Sequence, residues 1–207
     1  MTDNTLTNTM TTKKLKGRDF ITIGIFGLLF AITEIIAAFS SAIIPILWTF
    51  CMAIAAIPCG IIFMYIIAKV PKRWAIATAI TLCCLIYFLI GTYGIWTPLF
   101  GVVGGLLADV IAGTGKYKKF SKNAIAFVVC ITLQWLGFMQ PILFTTDQYI
   151  QSVLESGMSE TYIMPLVDFI QGPGFIAGLI ATIIMGFAGA YVGKNVLKKH
   201  FEKAGVI

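Results

Sequence analysis

The sequence predicts an all-α integral membrane protein with six transmembrane helices and both termini in the cytoplasm. Three observations lead to this prediction. The chain has 207 residues, of which 58% are hydrophobic and only 12% charged, whereas a soluble domain is about half apolar and a quarter charged. The apolar residues form six long runs, and the Lys and Arg residues fall into four clusters outside those runs. We therefore expect a multi-pass protein of the cell membrane.

Six runs are the candidates for membrane spans, because a helix that crosses a bilayer needs about 20 apolar residues. The fourth run is short, at about 22 Å for about fifteen helical residues, and we expect irregular backbone where it starts near Trp96. The first run is too long for the 7–15-residue apolar core of a cleaved signal peptide. The runs cover about residues 20–41, 46–68, 74–91, 98–112, 123–144 and 173–193.

The basic clusters predict the orientation, because positively charged loops stay on the cytoplasmic side of a membrane. They precede the first run and follow the second, fourth and sixth. Six spans with both termini inside satisfy every cluster, whereas five or seven would place one outside. The four clusters are Lys13, Lys14, Lys16, Arg18; Lys69, Lys72, Arg73; Lys116, Lys118, Lys119, Lys122; and Lys194, Lys198, Lys199, Lys203.

The same pattern predicts the organisation of the chain. We expect a polar and basic cytoplasmic segment at 1–18, a six-helix membrane domain at 19–194 and a basic cytoplasmic tail at 195–207. The lipid bilayer is then the principal surroundings of the protein. Nothing in this arrangement indicates a nucleic-acid partner.

Chemical motifs are scarce. The pair Gly115-Lys116 superficially resembles a phosphate-binding loop, but Val110 stands where that loop needs its first glycine and Tyr117 replaces the magnesium-binding hydroxyl. The only histidine is His200, and the five cysteines lie within apolar runs, as small packing residues do. We therefore expect no catalytic residues, no metal site and no cofactor in this chain, and binding or transport rather than an enzyme.

Polar residues within the outer halves of the spans are the candidates for ligand contact, because such residues are costly in a membrane. Gln134 and Gln140 lie in the fifth run, where Pro141 also frees the carbonyl of Gly137 from its helical hydrogen bond. Each glutamine could instead hydrogen-bond a neighbouring helix. The aromatic pair Tyr93 and Trp96 precedes the fourth run, where it could bind a ligand or anchor at the headgroups.

The outer connection at about 145–172 is the longest in the chain. It carries four acidic residues and no basic one. A connection of this length is often a lid or a binding element, and a solvated cap is the equally weighted alternative. The acidic residues are Asp147, Glu155, Glu160 and Asp168.

A stripe of small residues runs along the first span. Gly24, Gly27 and Ala31 recur every three or four positions, and Glu34 follows them. Small residues at this spacing let helices approach closely, so we predict a docking surface, either within the bundle or for another protein. Glu34 could bind a cationic ligand, carry a proton or bond to a neighbouring helix.

Three stretches resemble one family of membrane proteins. They are KLKGRDFITIGIFG at 14–27, GLLADVIAGTGKYKKFSKN at 105–123 and GKNVLKKHFEKAG at 193–205. They are similar to the substrate-binding S components of energy-coupling factor (ECF) transporters, in the Trep_Strep or MptD-like branch. The resemblance extends over nearly the whole chain, from about Lys14 to Gly205.

The resemblance implies a function. An S component is a six-helix subunit that captures a micronutrient outside the cell, either a vitamin-like molecule or a metal chelate. It works with a transmembrane coupling subunit and two cytoplasmic ATPase subunits, which use the ATP. The resemblance also implies docking through an Ala-x-x-x-Ala motif on the first helix. This chain has Gly27 and Ala31 at that spacing, with Gly24 beside them.

In the same family the ligand site lies on the outer side, which favours Tyr93, Trp96, Gln134 and Gln140 as contacts, with Glu34 as a further candidate. Two other functions stay open. The chain could be a stand-alone, ion-coupled secondary transporter, with Glu34 as the coupling residue. It could also be a membrane assembly subunit that transports nothing.

Overall fold

The computed structural model describes residues 14–91 and 95–203, with side chains up to 198. Within these ranges the regular structure is helical, with no strands. This agrees with the predicted all-α class. The α-helices are α1 Gly17–Ser41, α2 Pro45–Trp48, α3 Cys51–Lys69, α4 Ala75–Ile90, α5 Trp96–Thr114, α6 Phe120–Phe144, α7 Thr146–Glu155, α8 Glu160–Phe169 and α9 Phe175–Lys203.

Five stretches of the described chain are long and apolar enough to cross a membrane. They are α1, α3, α5, α6 and the stretch from Glu160 to Lys198, which contains α8 and most of α9. The sixth apolar helix, α4, has 16 residues and extends about 24 Å, less than the roughly 30 Å of a bilayer core. Each of the six predicted runs thus contains one of these helices. Five of the helices are long enough to span a membrane, and α4 is shorter.

The six helices that correspond to the predicted runs are α1, α3, α4, α5, α6 and α9. They alternate in direction along the chain, as the contacts between them show. A side-chain atom added at Gly105 of α5 would meet Ile80 of α4, and one added at Gly101 would meet Cys84, so α4 and α5 are antiparallel. Gly189 of α9 lies against Ala56 of α3, and Gly193 lies against Gly60. These two helices are therefore parallel and packed backbone to backbone, as small residues four apart allow.

Two expectations about helix boundaries need correction. The irregular backbone expected near Trp96 is wrong, because α5 begins at that residue. Pro98 lies in the first turn of α5, where a missing N–H removes no helical hydrogen bond. The second predicted run divides at Thr49 and Phe50 into the short α2 and the long α3.

The long connection at about 145–172 is not an open loop. It folds into α7 and α8, and α8 continues into α9 through a π-helical turn at Ile170–Gly174. Gly172 in that turn has φ −99° and ψ −129°, which is not helical. The chain therefore bends there, and the following Pro173 cannot donate a helical hydrogen bond.

The end of the bundle that carries the basic residues is fixed by two carboxylates. Asp19 of α1 forms a salt bridge of 2.5 Å with Lys72. Asp109 of α5 accepts hydrogen bonds from the backbone N–H groups of Trp74 (2.8 Å) and Ile76 (3.2 Å), which caps the start of α4. The hydroxyl of Tyr117 also donates to Asp109, at 3.2 Å.

The loop between α5 and α6 holds its shape through Tyr117. Lys116 and Tyr117 both have positive φ, at 52° and 59°, a conformation that is uncommon for residues other than glycine. The backbone oxygen of Tyr117 accepts a hydrogen bond from the Asn123 side chain. Burial, and then the neighbouring Asp109 carboxylate, raise the pKa of Tyr117, so its hydroxyl keeps the proton that it donates.

Candidate ligand-binding site

A cavity of about 820 Å³ opens at the end of the bundle opposite the basic residues. It lies among the last turns of α1, α4 and α6, the start of α5, and α7. Its apolar walls come from residues such as Ile35, Ala38 and Ile90. Six aromatic side chains are among its lining residues: Phe39, Trp48, Tyr87, Trp96, Phe138 and Tyr149.

The polar groups of the cavity are all uncharged. They include the Tyr87 and Tyr149 hydroxyls, the indole N–H groups of Trp48 and Trp96, and the side chains of Thr145, Gln148, Ser152 and Ser156. No Asp, Glu, Lys or Arg is among the described lining residues. Apolar walls with a few polar groups are usual for small-molecule sites. The cavity can therefore hold an organic molecule through ring contacts and a few hydrogen bonds.

The outer wall of the cavity is α7, which is amphipathic. Tyr149 and Val153 are buried on one face, whereas Asp147 and Glu155 are exposed on the other. The next helix is tied back to the end of α1, because the hydroxyl of Tyr162 donates a hydrogen bond to the backbone oxygen of Ala42. The acidic residues of α7 thus face away from the cavity.

A buried polar cluster centred on Glu34 lies beside this cavity. The Glu34 carboxylate is fully buried, and one of its oxygens, Oε2, accepts three hydrogen bonds. The donors are the Tyr87 hydroxyl at 2.7 Å, the Gln134 amide at 3.2 Å and the Cys83 thiol at 3.3 Å. These bonds join α1 to α4 and α6, which is one of the three roles predicted for Glu34.

The second oxygen of Glu34 has no hydrogen-bond partner. Oε1 is completely buried and unbonded, although buried polar atoms are nearly always paired. The cluster continues on its other side, where the Cys130 thiol donates to the side-chain oxygen of Gln134 at 3.7 Å. Tyr87 connects the cluster to the cavity, since its side chain belongs to both.

The backbone carbonyl that Pro141 leaves unbonded within α6 has a hydrogen-bond partner on α5. The carbonyl of Gly137, which Pro141 leaves without its helical hydrogen bond, accepts one from the Thr97 hydroxyl of α5 at 3.1 Å. Thr97 is buried, and a Cβ added at Gly137 would lie 2.9 Å from the Cβ of Phe100 and 3.1 Å from the Cα of Thr97. Because Pro141 frees this carbonyl, Thr97 can bond to it, and this bond holds the start of α5 against α6 beside the cavity.

The predicted ligand contacts are distributed over several places. Trp96 lines the cavity. Glu34 and Gln134 lie together in the buried cluster rather than among the lining residues. Gln140 is buried, its Oε1 atom has no hydrogen-bond partner, and it does not line the cavity. Tyr93 falls outside the described residues.

The small-residue stripe of α1 packs within the bundle. Gly27 lies against Ala79 of α4, where an added side chain would come within 3.0 Å of a backbone oxygen, and Ala31 is fully buried. Gly24 is half-buried and has open space beside it. Of the two predicted uses of this surface, the described chain shows the intramolecular one, and docking to another protein stays a prediction.

Sequence reasoning missed Tyr87, which lines the cavity and donates a hydrogen bond to Glu34. It lies in an apolar run, beside Phe138 with ring centroids 5.6 Å apart. A hydroxyl within a membrane helix was the available signal, since such a group needs a partner. The hydroxyl groups that α7 contributes to the cavity were also missed, although Tyr149 and Ser152 have the three-residue spacing of one helical face.

Comparison with known proteins identifies a family and no function. A family model described as "Hypothetical bacterial integral membrane protein (Trep_Strep)" matches residues 17–203. Neither a curated protein nor a solved structure shows significant similarity to the chain. The match covers both the cavity and the Glu34 cluster, and the chain therefore belongs to the Trep_Strep family of bacterial integral membrane proteins.

Proposed function

We propose that this protein is the substrate-capture subunit, or S component, of an ECF-type importer. In this proposal all six long helices span the cell membrane and both termini are cytoplasmic. The short α4 spans by packing inside the bundle, where Ile76, Ile80 and Cys83 are buried, and the bilayer thins locally to match it. The proposal agrees with the sequence resemblance to S components.

The observation that carries the proposal is the position of the cavity. It lies at the opposite end of the helices from every described basic cluster. If the basic end is cytoplasmic, the cavity opens outward, as capture of an external molecule requires. A volume of about 820 Å³ suits a small organic molecule.

The lining favours a vitamin-like molecule. Rings such as Trp48, Trp96 and Phe138 can stack on a planar ligand, and the hydroxyls of α7 can bond its polar edge. The described lining residues include no carboxylate, histidine or cysteine, the side chains that hold bare metal ions. A metal would therefore enter only inside an organic chelate.

Transport energy comes from other subunits in this proposal. The chain has no phosphate-binding loop, so a coupling subunit and two ATPases would supply the ATP-driven step. Because Gly27 is covered by α4 and Ala31 is fully buried, a partner would reach them only after α1 moves, whereas Gly24 has open space beside it. Gly24→Leu should then reduce copurification of the coupling subunit and leave folding intact.

Native mass spectrometry of the gently purified protein tests the capture function. The wild type should retain a small molecule, and Ala38→Trp, which fills the cavity, should lose it. Ile32→Trp is the matched control, because Ile32 is exposed on the outside of the same helix. An empty wild type, or equal retention by Ala38→Trp, would contradict the proposal.

One observation favours a second candidate, an ion-coupled secondary transporter. Glu34 is a buried acid within a membrane helix, and such acids often carry ions or protons. This candidate requires gradient-driven uptake by the chain alone, whereas an S component requires its partners. A non-transporting assembly subunit would have no use for a hydroxyl-lined cavity, and retention of a small molecule would exclude it.

A further inference from the structure

The unpaired oxygen of Glu34 indicates what kind of molecule the cavity takes. Oε1 is buried without a partner, while Oε2 receives three donors. If the carboxylate is ionised, the lone pairs of Oε1 are unused. If Oε1 is protonated, its O–H lacks an acceptor. Either state leaves a buried polar group unsatisfied, which is costly.

Among the described residues no positive charge lies near this carboxylate. The three donors to Oε2 are all neutral groups. The nearest basic residue along α1 is Arg18, about 24 Å away on the helix axis. The other described Lys and Arg residues lie at that same end of the bundle. The described residues therefore leave the partner of Oε1 to be supplied by a bound molecule.

The cavity provides the route to Glu34. Ile35 and Ala38, which line it, are the next residue of α1 and the residue one helical turn further on. Tyr87 stands between the two, because its ring borders the cavity while its hydroxyl donates to Glu34. A ligand group that enters beside Tyr87 therefore approaches the carboxylate.

The walls of the cavity suit a cation. Trp48, Tyr87 and Phe138 form one group of rings there: Phe138 meets Trp48 edge-on at 6.3 Å and Tyr87 edge-on at 5.6 Å. The faces of aromatic rings attract cations, and this effect strengthens away from water. No described lining residue carries a positive charge that would repel one.

We infer that the captured substrate is a small organic cation with a planar N–H-bearing group, whose N–H donors pair with Glu34. This inference rests on the proposed capture function and names its substrate class. It assigns Glu34 as the ligand's counter-ion and Tyr87 as the residue that positions it. Charge-assisted hydrogen bonds of this kind are about twice as strong as neutral ones.

Two probes of equal shape test the inference. Both carry N–H donors, but benzamidine is cationic at neutral pH whereas benzamide is neutral and has a carbonyl oxygen in place of one N–H group. Binding of each to the full chain in nanodiscs is measured by calorimetry. The wild type should bind benzamidine at least about tenfold more tightly than benzamide. Glu34→Gln should abolish that preference, and Glu34→Asp, which keeps the charge, should retain most of it.

A matched control separates Glu34 from general surface charge. Glu155→Gln makes the same chemical change on the exposed face of α7, and it should leave the preference unchanged. Equal affinity of the wild type for both probes would overturn the inference, as would failure to bind either, or a preference that survives Glu34→Gln. The comparison of two probes on the wild type holds even if a Glu34 variant does not fold.

Failure of the inference is distinguishable from failure of the capture function. If benzamide and benzamidine bind equally and Ala38→Trp removes both, the cavity captures neutral molecules, and only the assignment of charge is wrong. If a molecule retained by the purified protein is neutral or anionic, the same conclusion follows. A cavity that retains nothing in either experiment contradicts the capture function itself.

Discussion

The side-chain amide of Gln134 on α6 donates a hydrogen bond of 3.2 Å to the carboxylate of Glu34 on α1, 100 positions earlier in the chain. With Tyr87 of α4 bound to the same oxygen, three helices meet at one buried carboxylate. The cavity lies directly beside this point. The hydrogen bonds of Glu34 thus link α1, α4 and α6 beside the cavity.

The Tyr87 hydroxyl should contribute to stability. Tyr87→Phe removes the 2.7 Å hydrogen bond to Glu34 and keeps the ring contact with Phe138. We expect a loss of about 1 kcal/mol in unfolding free energy, since hydrogen bonds in membrane proteins are of this size. Thermal unfolding in detergent measures it. Tyr191→Phe, at an exposed position of α9, is the control, and an equal effect of both changes would refute the assigned role.

The contact between α3 and α9 should not tolerate even a methyl group. In Gly189→Ala the new Cβ would lie 2.0 Å from the backbone oxygen of Ala56, so the two helices must separate. Overpacking costs about 1–3 kcal/mol or more, and we expect a lower unfolding midpoint or poor expression. Gly24→Ala is the control, because its Cβ would meet nothing within 4 Å. Wild-type stability of Gly189→Ala would show that the helices are further apart.

Asp109 should protect the start of α4. Asp109→Ala removes the acceptor for the backbone N–H groups of Trp74 and Ile76, and loss of a helix cap costs about 1 kcal/mol. Hydrogen exchange at these two amides should speed up, while the middle of α4 is unaffected. Asp168→Ala, at an exposed position of α8, should change neither amide. Unaltered exchange in Asp109→Ala would mean that the cap is not formed.

The two ends of the bundle should lie on opposite sides of the membrane. Ser156 borders the cavity and Lys118 belongs to a basic cluster, and both are exposed. An impermeant maleimide should label Ser156→Cys on intact cells and label Lys118→Cys only after permeabilisation. Background is low because all five native cysteines are buried. The reverse pattern would invert the proposed orientation.

The positions of the long helices could be predicted from the sequence because apolar run length directly reflects membrane thickness. The predicted run at 123–144 corresponds to α6 at Phe120–Phe144, and the run at 20–41 to α1 at Gly17–Ser41. The close packing of Gly189 and Gly193 against α3 also has a local signal, since small residues four apart indicate that a helix can approach its neighbour closely. The freed carbonyl of Gly137 followed from Pro141 alone, although its partner Thr97 did not.

The helices α7 and α8 and the Glu34 cluster could not be predicted in the same way. α7 and α8 have ten residues each, and their apolar positions form a stripe rather than a run. The partners of Glu34 depend on which helices are neighbours and how each is rotated. Nothing local in the sequence relates Glu34 to Tyr87 or to Gln134, and a single polar residue in a span could face any neighbour.

Reconstitution into proteoliposomes tests the central claim most directly. The chain is inserted with or without the coupling and ATPase subunits, and accumulation of the molecule released from the purified protein is measured. The account predicts ATP-dependent accumulation with the partners, binding without accumulation when the chain is alone, and loss of both in Ala38→Trp. Accumulation by the chain alone under an ion gradient would contradict it.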